Sequence, residues 1–363
     1  MTERILIVGT GLIGGSIGLA LRRGADAHVT GYDADVSNAQ SARQSGALDD
    51  VAASVGDGAE SADIVVLAPP VGEIPGAVAE VARTAQPGTV VTDVGSTKGT
   101  IVARAEDMLG PERPFVGGHP MAGTEGEGIG AARADLFDGA LWILTPTAST
   151  EPAAYRRVNA FVTGLGARTL ALDPDAHDRL VARVSHLPYA IATALMAVAS
   201  DDPDGRVFEA AAGSFRDVTR TAGTNPRIWH DILSTNRAAV GAEIERMVAK
   251  LETMRVALEL GDLDAVDALI ATARDARKRL PIKGERTPAH PITVEVYIPD
   301  RTGVIADVTT ALGEGGVNIE DLWMDHSAAG GTLLITVDGR PNAEKAIDLL
   351  SGRAYRATVV EDE

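Results

Sequence analysis

The strongest constraint on the fold of this chain is a glycine-rich turn close to its start. A short apolar run over residues 4–9 is followed directly by the sequence GTGLIG at residues 9–14 and then by a helical pattern. In such a turn Gly9 permits a tight bend, Gly11 lets the backbone approach a pyrophosphate, and Gly14 lets the helix pack closely on the strand. The order of strand, turn and helix predicts a Rossmann-type dinucleotide-binding unit, with the phosphates at the helix N-terminus.

An acidic residue at the end of the second predicted strand supports a nicotinamide cofactor. That strand covers residues 27–33 and ends in Asp33, 24 residues after Gly9. A carboxylate at this place accepts hydrogen bonds from the adenosine ribose, which favours NAD over NADP. The alternative is a turn that binds no ligand and an Asp33 that only caps the next helix. The predicted cofactor-binding residues are Gly9, Gly11, Leu12, Ile13, Gly14, Asp33, Pro69 and Ser96.

Strands and helices alternate up to about residue 173, which predicts an open α/β sheet. Ligands of such sheets bind at the carboxyl ends of the strands, and this rule brings the glycine-rich turn, Pro69, Ser96 and His119 around one crevice. His119 lies in FVGGHPMAGTEG, in a glycine-rich turn that follows an apolar run. With an ordinary pKa of about 6.5, an imidazole there is suited to general base catalysis. A loop histidine without function is the alternative.

For Ser96, two roles stay open: contact with the substrate or with His119, and capping of the helix that starts near Lys98.

Composition excludes several classes of function. The chain has 363 residues, 45% of them apolar, which predicts a globular protein of two or three domains. Its net charge of −18 argues against nucleic-acid or anionic-membrane partners. The absence of cysteine excludes disulfides, thiolate metal sites and cysteine nucleophiles. We find no signal peptide, and the apolar stretch at 187–199 is too short to span a bilayer, so we expect a cytoplasmic protein.

Beyond residue 173 the pattern becomes helical. His186 and Tyr189 are three residues apart and share a helix face, whereas His177, nine residues before His186, is predicted at the surface on the other side. Asp217 and Arg220 are also three apart, and a structural salt bridge is the alternative to a functional role for them. Long amphipathic helices over 228–260 and 263–280 predict an all-α dimerisation domain.

A segment rich in proline and charge, residues 281–291, predicts an interdomain linker. The βαββαβ pattern that follows predicts a ferredoxin-like α+β domain. Its loop at 300–303, before the helix that starts at Val304, offers backbone N–H groups to a carboxylate ligand, and Asn318 offers an amide. The predicted domains are therefore dinucleotide-binding at 1–173, helical at 174–280 and small regulatory at 292–363.

With these motifs in view, the chain resembles the prephenate/arogenate dehydrogenase family of tyrosine biosynthesis, with a C-terminal ACT domain. The resemblance covers essentially the whole chain. It rests on GTGLIGGS at Gly9, DVGSTK at Asp93 and GGHPMAGTE at Gly117, and on SHLPY at Ser185 and FRDVTR at Phe215. DRTGVIADVTTAL and GVNIED resemble the ligand-binding edge of ACT domains.

The resemblance implies NAD-dependent oxidative decarboxylation of prephenate to 4-hydroxyphenylpyruvate, by a homodimer, without a metal and with possible feedback control by tyrosine. It implies that His119 is the base, Ser96 its hydrogen-bonding neighbour and Glu125 a loop acid that gates or orients the site. It implies that Arg220, held by Asp217, binds a substrate carboxylate. The other implied substrate-binding residues are His186, Tyr189 and Trp229, and the implied effector-binding residues are Asp300, Thr302, Gly303, Val304, Asn318 and Ile319.

One departure and three alternatives bear on function. Many prephenate-using members carry a second histidine in S-H-x-P-H, where this chain has Tyr189, so prephenate and arogenate both stay open as substrates. Phosphoglycerate dehydrogenases also join Rossmann and ACT domains, but their cofactor domain is inserted in mid-chain. β-Hydroxyacid dehydrogenases carry a helix lysine, and none occurs here between Glu151 and Ala249. A non-enzymatic amino-acid-sensing ACT protein would not need the glycine turn, His119 or Arg220.

Overall fold

The computed structural model describes residues 2–123, 126–202, 205–280, 291–299, 301–327 and 330–360. It consists of two compact units, residues 1–253 and residues 254–363. Glu125, Asp300 and the predicted linker up to residue 290 lie outside the described residues.

A mixed sheet forms the centre of the first unit. Its strands are β1 (Glu3–Val8), β2 (Ala27–Tyr32), β3 (Asp50–Val51), β4 (Ile64–Leu67), β5 (Val90–Asp93), β6 (Phe115–Pro120), β7 (Leu141–Thr145) and β8 (Arg168–Ala171). They are arranged in the order β3-β2-β1-β4-β5-β6-β7-β8. Only the β6–β7 pair is antiparallel. The carboxyl ends of β1, β4, β5 and β6 therefore meet at one edge of the sheet, as predicted.

Helices cover both faces of this sheet. They are α1 (Leu12–Leu21), α2 (Val36–Gln44), α3 (Val55–Ala59), α4 (Ile74–Thr84), α5 (Gly99–Leu109) and α6 (Pro152–Gly164). Alternate residues of β1 enter opposite core clusters, Ile5 and Ile7 in one and Leu6 and Val8 in the other. A strand that is buried on both faces must be apolar throughout, which is why the run at residues 4–9 shows no alternation.

The helical region begins with α7 (Pro174–Val181), a π-helical segment (Ala182–His186) and α8 (Leu187–Ser200). Together they form one helix of 27 residues that could cross a membrane by length and composition alone. The region continues with α9 (Arg206–Ala210), α10 (Gly213–Thr219), α11 (Pro226–Thr235) and α12 (Arg237–Leu260). α7 packs against α5 and β7, and α11 packs against the 3-10 turn that follows β4. The helical region thus covers the ligand edge of the sheet.

One predicted helix is divided in the structure. The sequence pattern predicts a continuous helix over 228–260, but Asn236, with φ −115°, separates α11 from α12. Its side-chain amide donates to the backbone oxygen of Asp178 (2.8 Å). The break therefore allows Asn236 to join α12 to α7, which helical periodicity does not reveal.

The second unit contains α13 (Leu263–Arg277), β9 (Pro291–Ile298), α14 (Val304–Glu314), β10 (Asp321–Ser327), β11 (Gly330–Asp338), α15 (Arg340–Gly352) and β12 (Arg356–Val359). From β9 onward the order is βαββαβ, and the antiparallel sheet has the order β10-β11-β9-β12. Alternate side chains of β9, Val294, Val296 and Ile298, enter the core. The predicted fold class is confirmed: a Rossmann-type α/β domain, a helical region and a ferredoxin-like domain of the ACT kind.

Candidate active site

The glycine-rich turn has the geometry that a dinucleotide requires. Gly9 has φ +88°, and a Cβ there would lie 2.6 Å from the backbone of Ala68. A Cβ on Gly14 would lie 1.9 Å from the Gly9 oxygen, so strand and helix could not approach as they do. Around Gly11 the space is open: beyond its neighbours in the chain, none of the described residues has an atom within 4 Å of the Cβ position. Gly9 and Gly14 thus serve the fold, whereas Gly11 leaves room for a ligand at the N-terminus of α1.

Asp33 is joined to this turn and is not the cap of the next helix. Its Oδ2 accepts from the backbone N of Thr10 (2.8 Å) and from the Thr10 hydroxyl (3.0 Å). The cap of α2 is Asp35, which accepts from the N–H of Ser37. The interpretation of Asp33 as a helix cap is therefore wrong, and its carboxylate lies at the edge of the predicted cofactor cleft. The open space at Gly11 and this carboxylate fit a dinucleotide.

His119 lies inside β6 rather than in the turn predicted after it, and it pairs with Ile143 of β7. Its Nδ1 is 2.8 Å from Nε2 of His177, and the two rings meet edge to face at a centroid distance of 5.1 Å. The prediction of a surface position for His177 is wrong, because its side chain is fully buried. The face of α7 that carries His177 packs on α5 and β7 and is not exposed to solvent.

Asp178 connects the two histidines to the start of α5. Its Oδ1 accepts from Nδ1 of His177 (2.9 Å) and from the backbone N of Lys98 (2.7 Å), and its Oδ2 accepts from Gly99 N (2.9 Å). Burial opposes the charge, but the bonds from His177 and from the backbone hold the pKa of Asp178 below its usual value. This carboxylate, and not Ser96, caps α5, so the capping interpretation of Ser96 is wrong.

A buried ion pair fixes the backbone beside His119. Lys98 and Asp93 are both fully buried and form a salt bridge with each other. The Lys98 ammonium also donates to the backbone oxygen of Gly118 (2.9 Å), and Asp93 accepts from the N–H of Gly118 (3.1 Å). Burial lowers the pKa of Lys98, and Asp93 opposes that change. These bonds tie the end of β5 to β6 immediately before His119.

The electrostatic surroundings keep His119 neutral at ordinary pH. Burial, followed by the neighbouring His177, Lys98 and His186, lowers the pKa of His119 well below 6.5. Each of these effects disfavours the imidazolium form. At neutral pH the ring is therefore able to accept a proton, as a general base must.

Three of the predicted substrate-binding side chains lie together in the helical region. Tyr189 stacks on Trp229 with centroids 3.7 Å apart, and His186 meets the same indole edge to face at 6.0 Å. Burial lowers the pKa of His186 to about 4. Its Nδ1 lies 3.3 Å from the amide of Asn236, which bonds Asp178. The cluster is therefore continuous with the network behind His119.

For Arg220, Asp217 and Ser96 the structure gives a position in the fold but no described contact with the histidine network. Arg220 starts a 3-10 turn after α10 that packs against α8, the helix that carries Tyr189. Arg220 and Asp217 are both exposed, and their ion pair stays a prediction. Ser96 is half-buried in the loop between β5 and α5. In the part of the chain that the structure describes, no cluster of three or more His, Asp or Glu side chains could hold a metal.

Sequence reasoning missed much of this network, whose additional members are Asp93, Lys98, His177, Asp178 and Asn236. One signal was present, since DVGSTK ends a strand with an acid and begins a helix with a lysine five residues later. In a regular helix His177 would lie on the opposite face from His186. The π-helical segment between His177 and His186 changes the rotation per residue, and both residues are buried.

Comparison with known proteins identifies the family of the chain. The chain matches the family model "Prephenate dehydrogenase, nucleotide-binding domain" over residues 17–171 and "Prephenate dehydrogenase, dimerization domain" over residues 173–272. A prephenate dehydrogenase of Bacillus subtilis (strain 168) is 31% identical over 370 residues, covering 100% of this chain and 99% of its own length.

Two solved structures are similar over about three quarters of the chain. Prephenate dehydrogenase from A. aeolicus, in complex with hydroxyphenyl propionate and NAD+, has a TM-score of 0.72 at 31% identity and covers 77% of this chain and 98% of its own. Synechocystis arogenate dehydrogenase has a TM-score of 0.68 at 28% identity and covers 76% and 99%. The chain therefore belongs to the prephenate dehydrogenase family of NAD-dependent oxidoreductases.

Proposed function

We propose that this chain oxidises and decarboxylates prephenate, giving 4-hydroxyphenylpyruvate in the cytoplasm. The observation that carries the proposal is the neutral, half-buried His119, held at Nδ1 by His177 beside a glycine-rich turn with open space at Gly11. Similarity over the full length to a prephenate dehydrogenase supports the same reaction.

In the proposed reaction His119 removes the proton of the 4-hydroxyl group of the substrate. Bound at the glycine-rich turn, NAD supplies the hydride acceptor for C4 of the ring. The bond between the ring and its carboxylate breaks and carbon dioxide leaves. The electron pair of that bond makes the ring aromatic, and the ring oxygen takes back the proton that His119 removed. Arg220 binds a substrate carboxylate with its planar guanidinium and so orients the ring. No metal is needed for these steps.

Arogenate is the second candidate substrate, because Tyr189 replaces the second histidine of S-H-x-P-H and stacks on Trp229. Similarity to Synechocystis arogenate dehydrogenase gives it further support. The test is a side-by-side assay of NADH formation with each substrate. A higher kcat/KM for prephenate than for arogenate supports the proposal. A higher kcat/KM for arogenate would instead make the enzyme an arogenate dehydrogenase. NADH formation with neither substrate contradicts both.

The position of Asp33 predicts a preference for NAD. A 2′-phosphate would lie beside its carboxylate, and like charges brought together oppose binding. We expect kcat/KM with NADP to be at least about tenfold lower, equivalent to about 1.4 kcal/mol. Asp33→Ser should reduce the difference between the kcat/KM values with NAD and with NADP. If wild-type enzyme uses NADP more efficiently than NAD, the role of Asp33 is wrong.

Arg220→Ala should raise the KM for substrate and leave NAD binding unchanged. Hydrogen bonds to charged groups contribute about 1.5–3 kcal/mol, so the rise should be roughly tenfold to a hundredfold. Arg216→Ala, an exposed arginine on the preceding helix α10, is a suitable control and should keep the wild-type KM. An unchanged KM in Arg220→Ala would leave this residue with a structural role only.

The helical region also supports a homodimer. Ile244, Val248 and Leu251 recur at helical spacing on α12 and are exposed to 39%, 58% and 58%. An apolar stripe of this kind needs a partner, and a second copy of the chain supplies one by two-fold symmetry. Sedimentation of the full chain should give twice the monomer mass, and a monomer at micromolar concentration would contradict the dimer.

We also propose that the C-terminal domain binds tyrosine and regulates the enzyme. Gly303, with φ +86°, precedes α14, so the loop at Thr302 leads directly into a helix N-terminus suited to a carboxylate. Ile319 is half-buried nearby in sequence, and the Asn318 amide donates to Glu320 (2.6 Å), a bond that a ligand would have to replace. Regulation further requires that tyrosine bind the active and inactive arrangements differently.

Truncation tests this regulation. We expect calorimetry on the full chain to detect tyrosine binding, and we expect a chain that ends before Pro281 to keep activity and lose inhibition. Inhibition that survives truncation and competes with substrate would place the effect in the active site instead.

A further inference from the structure

The buried pair His177 and Asp178 has no part in the reaction as described so far. We propose that this pair is a proton relay behind His119, in which His177 is a positioning residue that sets the tautomer of the base and shares the proton it collects. This inference rests on the proposed function of His119 as the base. It is carried by two short contacts, 2.8 Å between the histidine rings and 2.9 Å from His177 to Asp178.

The hydrogen bonds determine the tautomers of both rings. Asp178 is ionised and accepts only, so the hydrogen of His177 must be on Nδ1. Nε2 of a neutral His177 then carries a lone pair, and Nδ1 of His119 must donate to it. The hydrogen of a neutral His119 is thereby held on Nδ1. Its Nε2 keeps the free lone pair, which is the atom that removes the hydroxyl proton.

The same contacts give the proton a path. When Nε2 of His119 gains the substrate proton, the hydrogen on its Nδ1 can move to Nε2 of His177. The imidazolium then lies against the carboxylate of Asp178, while His119 is neutral again with its hydrogen on Nε2. One proton is taken up at His119 and one positive charge ends on His177 beside the carboxylate of Asp178, so the charges balance.

The surrounding charges make Asp178 the counter-ion of the two histidines. Lys98 is near enough to lower the pKa of both histidines, but its ammonium is engaged by Asp93. On the other side His186 is neutral, and the amide of Asn236 bonds the backbone oxygen of Asp178 and not its carboxylate. Among the described charged groups around the rings of His119 and His177, Asp178 is therefore the anion that bonds a histidine directly, because Asp93 bonds Lys98 instead.

Two substitutions separate positioning from relay. His177→Gln can keep an acceptor near Nδ1 of His119 but cannot take a proton. His177→Leu removes both properties. We expect kcat to fall on the order of tenfold to a hundredfold in His177→Gln, less than the loss of the base itself, and further in His177→Leu. The KM for substrate should change little. The control variant is His28→Gln. His28 is a half-exposed histidine on β2 whose Nε2 lies 3.1 Å from the carboxylate of Asp50, and its replacement should keep wild-type kcat.

Two readouts are specific to a relay. The dependence of kcat on the fraction of D2O should be curved in wild type, where two protons move, and linear in His177→Gln. Nitrogen-15 NMR of the resting enzyme should show His119 with its hydrogen on Nδ1, and His177→Leu should lose this preference. The double variant His119→Asn/His177→Gln should be no slower than His119→Asn alone, because the two residues act as a unit.

The outcomes distinguish the inference from the function it rests on. If wild-type enzyme oxidises neither prephenate nor arogenate, the proposed function fails, and the NMR tautomers still decide whether His177 orients His119. If turnover depends on His119 but His177→Gln keeps wild-type kcat and a curved D2O dependence, the relay is wrong. A resting His119 with its hydrogen on Nε2 would overturn the positioning role.

Discussion

Replacing His119 with asparagine should lower kcat by about a hundredfold or more, the range expected when a general base is removed. Asparagine keeps a similar shape and can still donate to His177, but it cannot accept the hydroxyl proton. NAD affinity should change little, because the glycine-rich turn and Asp33 form the predicted cofactor contacts. Steady-state kinetics together with NAD titration of the same preparation would measure both effects.

The pH dependence of wild-type enzyme supplies an independent check. His119 acts as a base only when neutral, and its pKa lies well below 6.5. Activity should therefore be constant near pH 7 and be lost only as the pH falls well below 6.5, through the pKa of the folded enzyme. Near-normal turnover in His119→Asn, or an acid limb at or above pH 6.5, would contradict the assignment.

Replacing Lys98 with methionine should lower the free energy of unfolding of the first unit by about 3–5 kcal/mol. The substitution leaves the fully buried Asp93 without its cation and removes the bond to the Gly118 oxygen. Because Gly118 directly precedes His119, we also expect lower kcat at temperatures where the variant is folded. Denaturant unfolding followed by circular dichroism would measure the loss.

A matched surface variant controls for removal of a positive charge. Arg4→Met removes the cation from Asp63 (3.5 Å) at a site where the two side chains are 54% and 37% exposed. Exposed pairs contribute less than about 1 kcal/mol, so this variant should be close to wild type. Lys98→Met/Asp93→Asn should recover part of the lost stability, because no buried charge is left unpaired. A loss below about 1 kcal/mol in Lys98→Met would show that the pair is not essential to the fold.

The first half of the fold could be predicted from local sequence because its signals are local. The turn at Gly9 requires a positive φ and a close contact with Ala68, and these requirements leave a glycine pattern that the sequence displays. Strands buried on both faces appear as continuous apolar runs, and their order with helices implies a parallel sheet. The edge of the sheet where the ligand binds then follows from topology alone.

The same reasoning failed where a contact joins distant parts of the chain. His177 and His119 are 58 residues apart, and Lys98 and Asp178 are 80 apart. Periodicity predicts which residues share a face of a helix, but not what covers that face. A π-helical segment and the break at Asn236 altered the expected faces further.

The sequence by itself determined the Rossmann-type cofactor turn, the order of the three regions and the family resemblance, and it indicated His119 as a candidate base, because each depends on residues close together in the chain. Only the tertiary structure decided which side chains surround His119, since packing of α7 on α5 and β7 brings His177 and Asp178 to it. The tertiary structure also decided three further features: the buried partner of Lys98, the side chain that caps α5, and the lowered pKa that keeps His119 neutral. Desolvation and hydrogen bonding act between groups that are neighbours in space, and packing alone makes them neighbours.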